Sequence, residues 1–496
     1  MTNSKTPLFT GYDWDEPTVR KAWGEIEKIA HEELKLDLYP NRIEIISSEQ
    51  MLDAYSSHGL PSMYAHWSFG KRFVRDRADY VSGRSGLAYE IVINSNPCIN
   101  YLMEDNSMMM QCLVMAHAGA GHNSFFKNNY LFKQWTDADA ILQYVSFAKD
   151  YVNECERRYG YKQVEDWLDA CHVWSMWGVD KYRRPRKNLM TEELSRAELL
   201  LKEEQARMAV HEFDRIMPKK TRVFQQEDDE VWLKEPEENI LKFVEKNAPS
   251  IKNWQRELLR ITATLAQYFA PQIQTKVMNE GWASFCHYFI MTRLNEKGLL
   301  TDGHYIEFLK AHTAVVHQRK KSGTWNPYYL GFNIFKDLKR ICEMPTEEDR
   351  KWFPDYAGTD WIKTLTWAYQ NYRDESFIRQ FLSPELMRKE HMFMLADESG
   401  SDVYACKEIH DDRGYKNLRS NLADQYLLDN LISDLRVVGA DMAGDRTLYI
   451  THFVKNGHSL LDEEESISAL QTLWGYPVSL DSVDPIDQVE RELNKG

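Results

Sequence analysis

Apolar residues recur at spacings of three and four over most of the chain up to about residue 395, and this period restricts the fold more than any other feature. From Pro17 to Leu36, for example, the apolar positions fall on one face of an amphipathic helix. Proline at Ala270-Pro271 is expected to separate two long helices. The same period predicts helices at about 106–118, 137–159, 251–269 and 272–295.

Segments of β type are few before residue 396 and frequent after it. The segment 87–94 (LAYEIVIN) is short, β-branched and bounded by glycine and proline, which predicts a strand. After residue 396, DVYACKEI, DLRVVGADM, RTLYITHFV and VSLDSV read as strands, with helices expected at about 418–431 and 463–473.

These patterns predict an α+β protein of two domains. The first, residues 1–395, is expected to be large and mainly helical, with a small β-hairpin or strand element. It contains an insert of dense mixed charge at about 181–238, which is typical of solvated or exposed segments. Residues 396–496 are expected to form a small C-terminal α+β domain.

The charge and the cysteines restrict partners and compartment. With 76 acidic and 61 basic residues the formal charge is −15, which disfavours nucleic acid and anionic lipid as partners. The sequence contains no apolar run of signal-peptide or membrane-spanning length. The seven cysteines are scattered and form no C-x-x-C pair, so we expect reduced thiols, a cytoplasmic location and no thiolate zinc site.

The segment MAHAGAGHNSFF carries the first candidate metal ligands, His117 and His122. Five residues of unbroken α-helix turn the chain by about 500°, so these side chains would point about 140° apart. Sharing one cation therefore requires a backbone bend, which the intervening Gly119 and Gly121 would permit. The H-E-x-x-H pattern of zinc peptidases places a glutamate directly after the first histidine, and this sequence has Ala118 there.

A second segment, NEGWASFCH, contains Glu280 and His287 seven residues apart. On a helix this spacing puts both on one face, about 10 Å apart along the axis, and either would serve as a further ligand. VEDWLDACH repeats the spacing with Glu165 and His172. The predicted metal ligands are therefore His117, His122, Glu280 and His287, although a histidine with a structural hydrogen bond is the common alternative for each.

Six long segments carry a resemblance to a known family: GYDWDEPTVRKAW, GLPSMYAHWSFGKRF, LAYEIVINSNPCINYLMEDNSMMMQCLVMAH, GHNSFFKNNYLF, YFAPQIQTKVMNEGWASFCHYFI and GTWNPYYLGFNIF. With these segments the chain resembles the SpoVR family, which comprises stage V sporulation protein R and YcgB-like proteins. The resemblance implies a role in spore cortex formation, the cell envelope or stationary-phase stress. It also implies a PrkA-type serine kinase and a YeaH-type von Willebrand-domain protein as partners.

A more distant resemblance is to gluzincin peptidases, in which HE-x-x-PGH is followed downstream by EGWA. It matches His117, His122 and Glu280, and it implies a divalent metal, with zinc as the first candidate. The sequence departs from this pattern at Ala118, which replaces the catalytic glutamate, and at Ala120, which replaces the proline. The two histidines are also five residues apart where the pattern has six. The peptidase signature is thus incomplete.

Three functional hypotheses remain open at this level. The first is a metal-binding protein of gluzincin-like ancestry. If this protein is an enzyme, we expect a metal-dependent hydrolase, which would need a general base from elsewhere in the chain; Glu165 and His172 are the catalytic candidates. The second is a dinuclear carboxylate-bridged metal enzyme that adds these two residues to Glu280, His287 and His117. The third is a non-enzymatic adaptor or regulator working with the kinase.

Overall fold

The computed structural model describes residues 6–57, 60, 63–81, 90–182, 231–318, 325–392, 395–396, 405–406, 411–442, 444–454 and 463–483. Two compact units can be distinguished: the first comprises Met1–Asp169 and Glu257–Ser433, and the second comprises Ala170–Arg256 and Asp434–Gly496. Residue 395, where the sequence predicts a domain boundary, lies within the residue range of the first unit, and that boundary stays a prediction. The fold is mainly helical and of the α+β type, as predicted.

Most of the described residues of the first unit are helical, whereas the second unit combines a four-stranded sheet with a few helices. The helices of the described residues are α1 Glu16–Glu32, α2 Ser48–Ser56, α3 Trp67–Val81, α4 Met108–Val114, a π-helix Met115–His122, α5 Asn123–Asn128, α6 Tyr130–Trp135, α7 Ile141–Tyr159, α8 Tyr161–Val173, a 3-10 helix Ser175–Trp177, α9 Ile240–Asn247, α10 Asn253–Ile273, α11 Lys276–Glu296, α12 Asp302–Val315, α13 Pro327–Glu343, α14 Glu347–Trp352, α15 Trp361–Asn371, α16 Asp374–Phe381, α17 Pro384–Lys389, α18 Asp412–Asp424, α19 Leu428–Leu431 and α20 Glu463–Trp474.

The strands of the described residues are β1 Asn41–Ile46, β2 Glu90–Ile93, β3 Cys98–Met103, β4 Val231–Glu237, β5 Leu395–Ala396, β6 Ala405–Cys406, β7 Asp434–Ala440, β8 Leu448–Phe453 and β9 Val478–Val483. They form three small sheets. In the first unit, β3 lies between β1, to which it is parallel, and the antiparallel β2, so β2 is an edge strand. In the second unit the order is β4-β7-β8-β9, with only β8 and β9 parallel. β5 and β6 form a two-stranded sheet.

Helix α11 forms the centre of the first unit. Its residues 281–287 are all buried, and a run of this length covers every side of the helix, so neighbours pack around it completely. The π-helix and α13 are its main neighbours. A Cβ atom added at Gly281 would lie 2.4 Å from Gly331 Cα, so these glycines let α11 and α13 approach to backbone contact.

The first turn of α11 is fixed by a side chain from another helix. Asp374, at the start of α16, accepts hydrogen bonds from the amides of Val277 and Met278 at 2.9 and 2.8 Å. These amides have no intrahelical partner, and Thr275, the residue that precedes the helix, makes no side-chain cap. Asp374 thus anchors the helix that carries Glu280.

Several predicted boundaries differ from the observed ones. The break expected at Ala270-Pro271 lies further on: α10 runs through Pro271 to Ile273, because a proline in the last turn removes few hydrogen bonds. The helix expected at 418–431 is two helices, α18 and α19. The strand expected at 87–94 is described only from Glu90 to Ile93. Residues 183–230, most of the charged insert, lie outside the described residues.

The expected C-terminal strands within DLRVVGADM, RTLYITHFV and VSLDSV are present as β7, β8 and β9. Of DVYACKEI only Ala405–Cys406 is described, as β6. No helix in the described parts of the chain is both long enough and apolar enough to cross a membrane.

Candidate metal centre

A π-helix places His117 and His122 on the same side. Its hydrogen bonds join residues five apart, as in the bond from the amide of Asn123 to the carbonyl of Ala118, so residues at this spacing stack one above the other. The helix is continuous from Met115 to His122. The prediction of a backbone bend at the glycines was therefore wrong. A π-helix has more residues per turn than an α-helix, and it places residues five apart on one side without a bend.

The two glycines of this segment serve packing instead. A Cβ atom at Gly121 would lie 2.5 Å from Ala283 Cα of helix α11, and one at Gly119 would lie 2.7 Å from Trp23 Cζ3. Both distances are too short for a side chain, so glycine is needed at each position. The close approach at Gly121 holds the π-helix against the helix that carries Glu280.

Two carboxylates, those of Glu280 and Glu90, lie beside the imidazoles of His117 and His122. The Oε2 atom of Glu280 lies 3.5 Å from His122 Nε2 and 3.7 Å from His117 Nε2. Glu90, on the edge strand β2, places Oε1 3.5 Å from His117 Nε2. Glu90, His117 and His122 each offer a ligand atom within 4.8 Å of the others. We call these four side chains the His/Glu cluster.

The spacing and chemistry of the His/Glu cluster fit a divalent cation. Ligand atoms bound tetrahedrally at about 2.0–2.2 Å lie about 3.3–3.6 Å apart, close to the three imidazole-to-carboxylate separations of 3.5, 3.7 and 3.5 Å. The Oε2 atoms of Glu90 and Glu280 are buried and have no hydrogen-bond partner among the described residues. Buried carboxylate oxygens are normally paired, and a cation between the four groups would satisfy both.

Hydrogen bonds outside the His/Glu cluster orient its imidazoles. His122 Nδ1 lies 2.8 Å from Asn279 Oδ1, an acceptor, so Nδ1 carries the proton and the Nε2 lone pair faces the cluster. His117 Nδ1 lies 2.8 Å from His287 Nδ1. His287 Nε2 in turn lies 2.7 Å from His312 Nδ1. Both nitrogens of His287 are thus engaged by other imidazoles, and this predicted ligand contacts His117 without facing the carboxylates.

The surroundings set the charge states. Burial raises the pKa of Glu90 to about 7 and lowers the pKa of His122 to about 4. Burial also opposes charge on His117, but the carboxylates of Glu90 and Glu280 outweigh it and raise its pKa. For Glu280, burial is outweighed by the imidazoles of His122 and His117, and its pKa is lowered. At neutral pH His122 is therefore neutral and Glu280 ionised, as metal binding requires, whereas the raised pKa values of His117 and Glu90 mean that these two side chains release protons when a metal binds.

The two catalytic candidates are not among the four residues of the His/Glu cluster. Glu165 Oε1 accepts hydrogen bonds from the amide of Trp67 at 3.2 Å and the hydroxyl of Tyr161 at 2.6 Å, at the start of α3. His172 belongs to the second unit, whereas the His/Glu cluster belongs to the first. A catalytic role for either residue stays a prediction.

Sequence reasoning missed several residues of this site. Glu90 is a single acidic residue in an apolar strand, a signal that could have marked it, since charges inside strands are uncommon. Asn279 precedes Glu280 directly. Tyr328, which donates a hydrogen bond to Glu280, and His312 had no such signal, because only the tertiary fold brings α13 and α12 to the site.

Two family models and one curated protein match the chain. The family model described as "SpoVR like protein" matches residues 13–431, and the one described as "SpoVR-like C-terminal domain" matches residues 433–485. The chain is 46% identical over 496 residues to the Escherichia coli (strain K12) protein named "Uncharacterized protein YcgB", covering 99% of this chain and 96% of that protein. No solved structure matches the chain. The resemblance found in the sequence is thus confirmed, and this protein belongs to the SpoVR family.

Proposed function

We propose that this protein binds one divalent cation at the His/Glu cluster, with zinc as the best fit. His117 and His122 supply Nε2, Glu280 supplies the third ligand, and Glu90 supplies the fourth. Two imidazoles with two carboxylates form a donor set suited to zinc and to other first-row divalent metals. The observation that carries the proposal is that Glu90, His117 and His122 each offer a ligand atom within 4.8 Å of the others. Beside them, at 3.5 Å from His122 Nε2, lies Glu280 Oε2, a buried oxygen with no hydrogen-bond partner among the described residues.

The geometry favours one ion over two. A dinuclear centre would draw on Glu165 and His172, but the Oε1 atom of Glu165 is engaged by Trp67 and Tyr161. The only carboxylates in the His/Glu cluster are Glu90 and Glu280, and both lie within ion-pair distance of His117. One cation is enough to offset their two negative charges.

The chemistry that such an ion supplies is Lewis acidity toward a bound water or carbonyl oxygen. The imidazoles are buried, with side chains 6% and 7% exposed, whereas Glu90 and Glu280 are 20% and 19% exposed. Metal-dependent hydrolysis remains the prediction drawn from the gluzincin resemblance, and Ala118 removes the base that this resemblance would provide.

The cellular role is proposed from the family alone. A cytoplasmic location, a part in cell-envelope or stress physiology and the PrkA-type and YeaH-type partners remain predictions. The adaptor hypothesis predicts no tightly bound metal, so metal binding separates it from our proposal.

Zinc titration of the metal-free protein against a chromophoric chelator tests the proposal. We expect one zinc per chain. His122→Phe should abolish tight binding while keeping the ring stacking on Phe126, whose centroid lies 5.8 Å away. His304→Phe is the matched control, because His304 packs on Phe9 at 4.6 Å and should leave the affinity unchanged. Equal affinity in wild type and His122→Phe would refute the proposal.

A further inference from the structure

Three imidazoles form a hydrogen-bonded row that begins at His117 and leads away from the carboxylates. His117 Nδ1 and His287 Nδ1 are 2.8 Å apart, and His287 Nε2 and His312 Nδ1 are 2.7 Å apart. The members come from the π-helix, α11 and α12. Every link is a nitrogen-to-nitrogen contact at hydrogen-bond distance, so in each link one nitrogen must donate and the other must accept.

This requirement couples the tautomers of the three rings. A neutral imidazole has one donor and one acceptor nitrogen. A cation bound at His117 Nε2 leaves the proton of this ring on Nδ1, which donates, so His287 Nδ1 accepts and the proton of His287 lies on Nε2. That proton is donated to His312 Nδ1, so His312 carries its own proton on Nε2. In this arrangement the Nε2 atom of His117 is left with a lone pair, which faces Glu90 and Glu280.

The row is isolated from water. His117, His287 and His312 are 4%, 1% and 5% exposed. Phe308 contacts both His287 and His312, with ring centroids 6.1 and 5.8 Å away, and Phe332 packs edge-on against His312 at 4.9 Å. Both ring nitrogens of His287 have a neighbouring imidazole as hydrogen-bond partner, so His287 needs no water molecule inside this apolar wall.

We propose that His287 and His312 are positioning residues that hold His117 in the tautomer with the proton on Nδ1, so that Nε2 is presented to the cation. This inference rests on the proposed metal binding. In this proposal His287 is not a metal ligand but accepts a hydrogen bond from the ligand His117. His312 gains a role that the sequence did not indicate. Loss of such an outer hydrogen bond typically weakens metal binding about 10- to 100-fold.

Three variants of the full-length protein test the assignment by zinc titration. His287→Phe keeps a ring but removes the acceptor, and we expect the zinc affinity to fall about 10- to 100-fold. His287→Asn places an amide oxygen near the former Nδ1 position, and we expect it to restore most of the affinity although the link to His312 is lost. Phe308→Leu is the control for packing, because it disturbs the same wall without touching a hydrogen bond, and its affinity should equal that of wild type.

Nitrogen-15 NMR of the histidine rings supplies a readout that packing alone would not move. The zinc-loaded wild type should show His117 with its proton on Nδ1, and His287→Phe should lose that signature. If wild type binds no zinc, the proposed function fails. If wild type binds zinc but His287→Phe binds it equally well, or if Phe308→Leu weakens binding as much as His287→Phe, the positioning role is overturned while the proposed function stands.

Discussion

Replacing Glu280 by Gln separates a metal ligand from a packing residue, because the amide keeps the volume and loses the charge. Glu280 faces two imidazoles at 3.5 and 3.7 Å and accepts a hydrogen bond from Tyr328. Its pKa is lowered by these imidazoles against the effect of burial, so the ionised form stabilises the fold above its ordinary pKa and this contribution is lost as the pH falls. At neutral pH the variant therefore loses a stabilising charge.

That loss should be small in the metal-free protein. The partner of Glu280 is a histidine, which can release its proton, so no fixed buried charge is left unpaired as it would be beside Arg or Lys. The amide still accepts from Tyr328. We expect the free energy of unfolding to fall by no more than about 1 kcal/mol, the net value of an ordinary hydrogen bond.

The effect on the zinc-loaded protein should be much larger. At a zinc concentration 100 times the wild-type dissociation constant, binding stabilises the fold by about 2.7 kcal/mol. If Gln raises that constant about 100-fold, the same zinc concentration stabilises the variant by only about 0.4 kcal/mol. Thermal melting with and without zinc measures both quantities.

Asp374→Asn is a suitable control for this experiment. Asp374 caps the first turn of α11 through Val277 and Met278, so its substitution should lower metal-free stability by about 1 kcal/mol and leave the zinc-induced gain in place. Glu280 is not a metal ligand if the Glu280→Gln variant gains as much stability from zinc as wild type does and its metal-free form is much less stable than that of wild type.

Three further predictions follow from the site. Because burial raises the pKa of Glu90 to about 7, the metal-free fold loses stability as the pH rises from about 4.5 through 7. Glu90→Gln should remove this part of the pH dependence, which urea unfolding of both proteins from pH 4 to 8 measures. Gly121→Ala places a Cβ atom 2.5 Å from Ala283 Cα and should destabilise the fold by about 1–3 kcal/mol in the same assay; wild-type stability would show that the helices are further apart. Asn279→Ala removes the acceptor of His122 Nδ1 and should weaken zinc binding about 10- to 100-fold in a chelator competition, whereas an unchanged affinity would contradict the orienting role.

The helical part of the fold could be predicted because its signal is local. The period of three and four residues gave α1, α7 and α11 with boundaries close to the observed ones, since each helix buries one face or, for α11, its whole surface. The π-helix could not be predicted in this way. Its apolar and small residues satisfy an α-helical pattern equally well, and its close packing against Trp23 and Ala283 involves tertiary contacts that a local pattern does not contain.

The candidate site was predictable only in part. His117, His122 and Glu280 were proposed from their motifs, and the structure brings them together, although their role as ligands is untested. Glu90 is brought to the site by the pairing of β2 with β3, a tertiary contact without a local pattern. Glu165 and His172 have the same spacing as Glu280 and His287. Spacing shows that two residues share a helix face, but it does not show which neighbour that face contacts, so it could not place Glu165 and His172.

Anomalous X-ray scattering at the zinc edge, from crystals of the protein grown with zinc, tests the central claim most directly. We expect a single peak, from one zinc ion bound by His117 Nε2, His122 Nε2 and the carboxylates of Glu280 and Glu90 at distances of about 2.0–2.2 Å. Absence of a peak at the His/Glu cluster in zinc-treated crystals would contradict it. So would two peaks about 3.5–4 Å apart, the separation typical of a dinuclear centre.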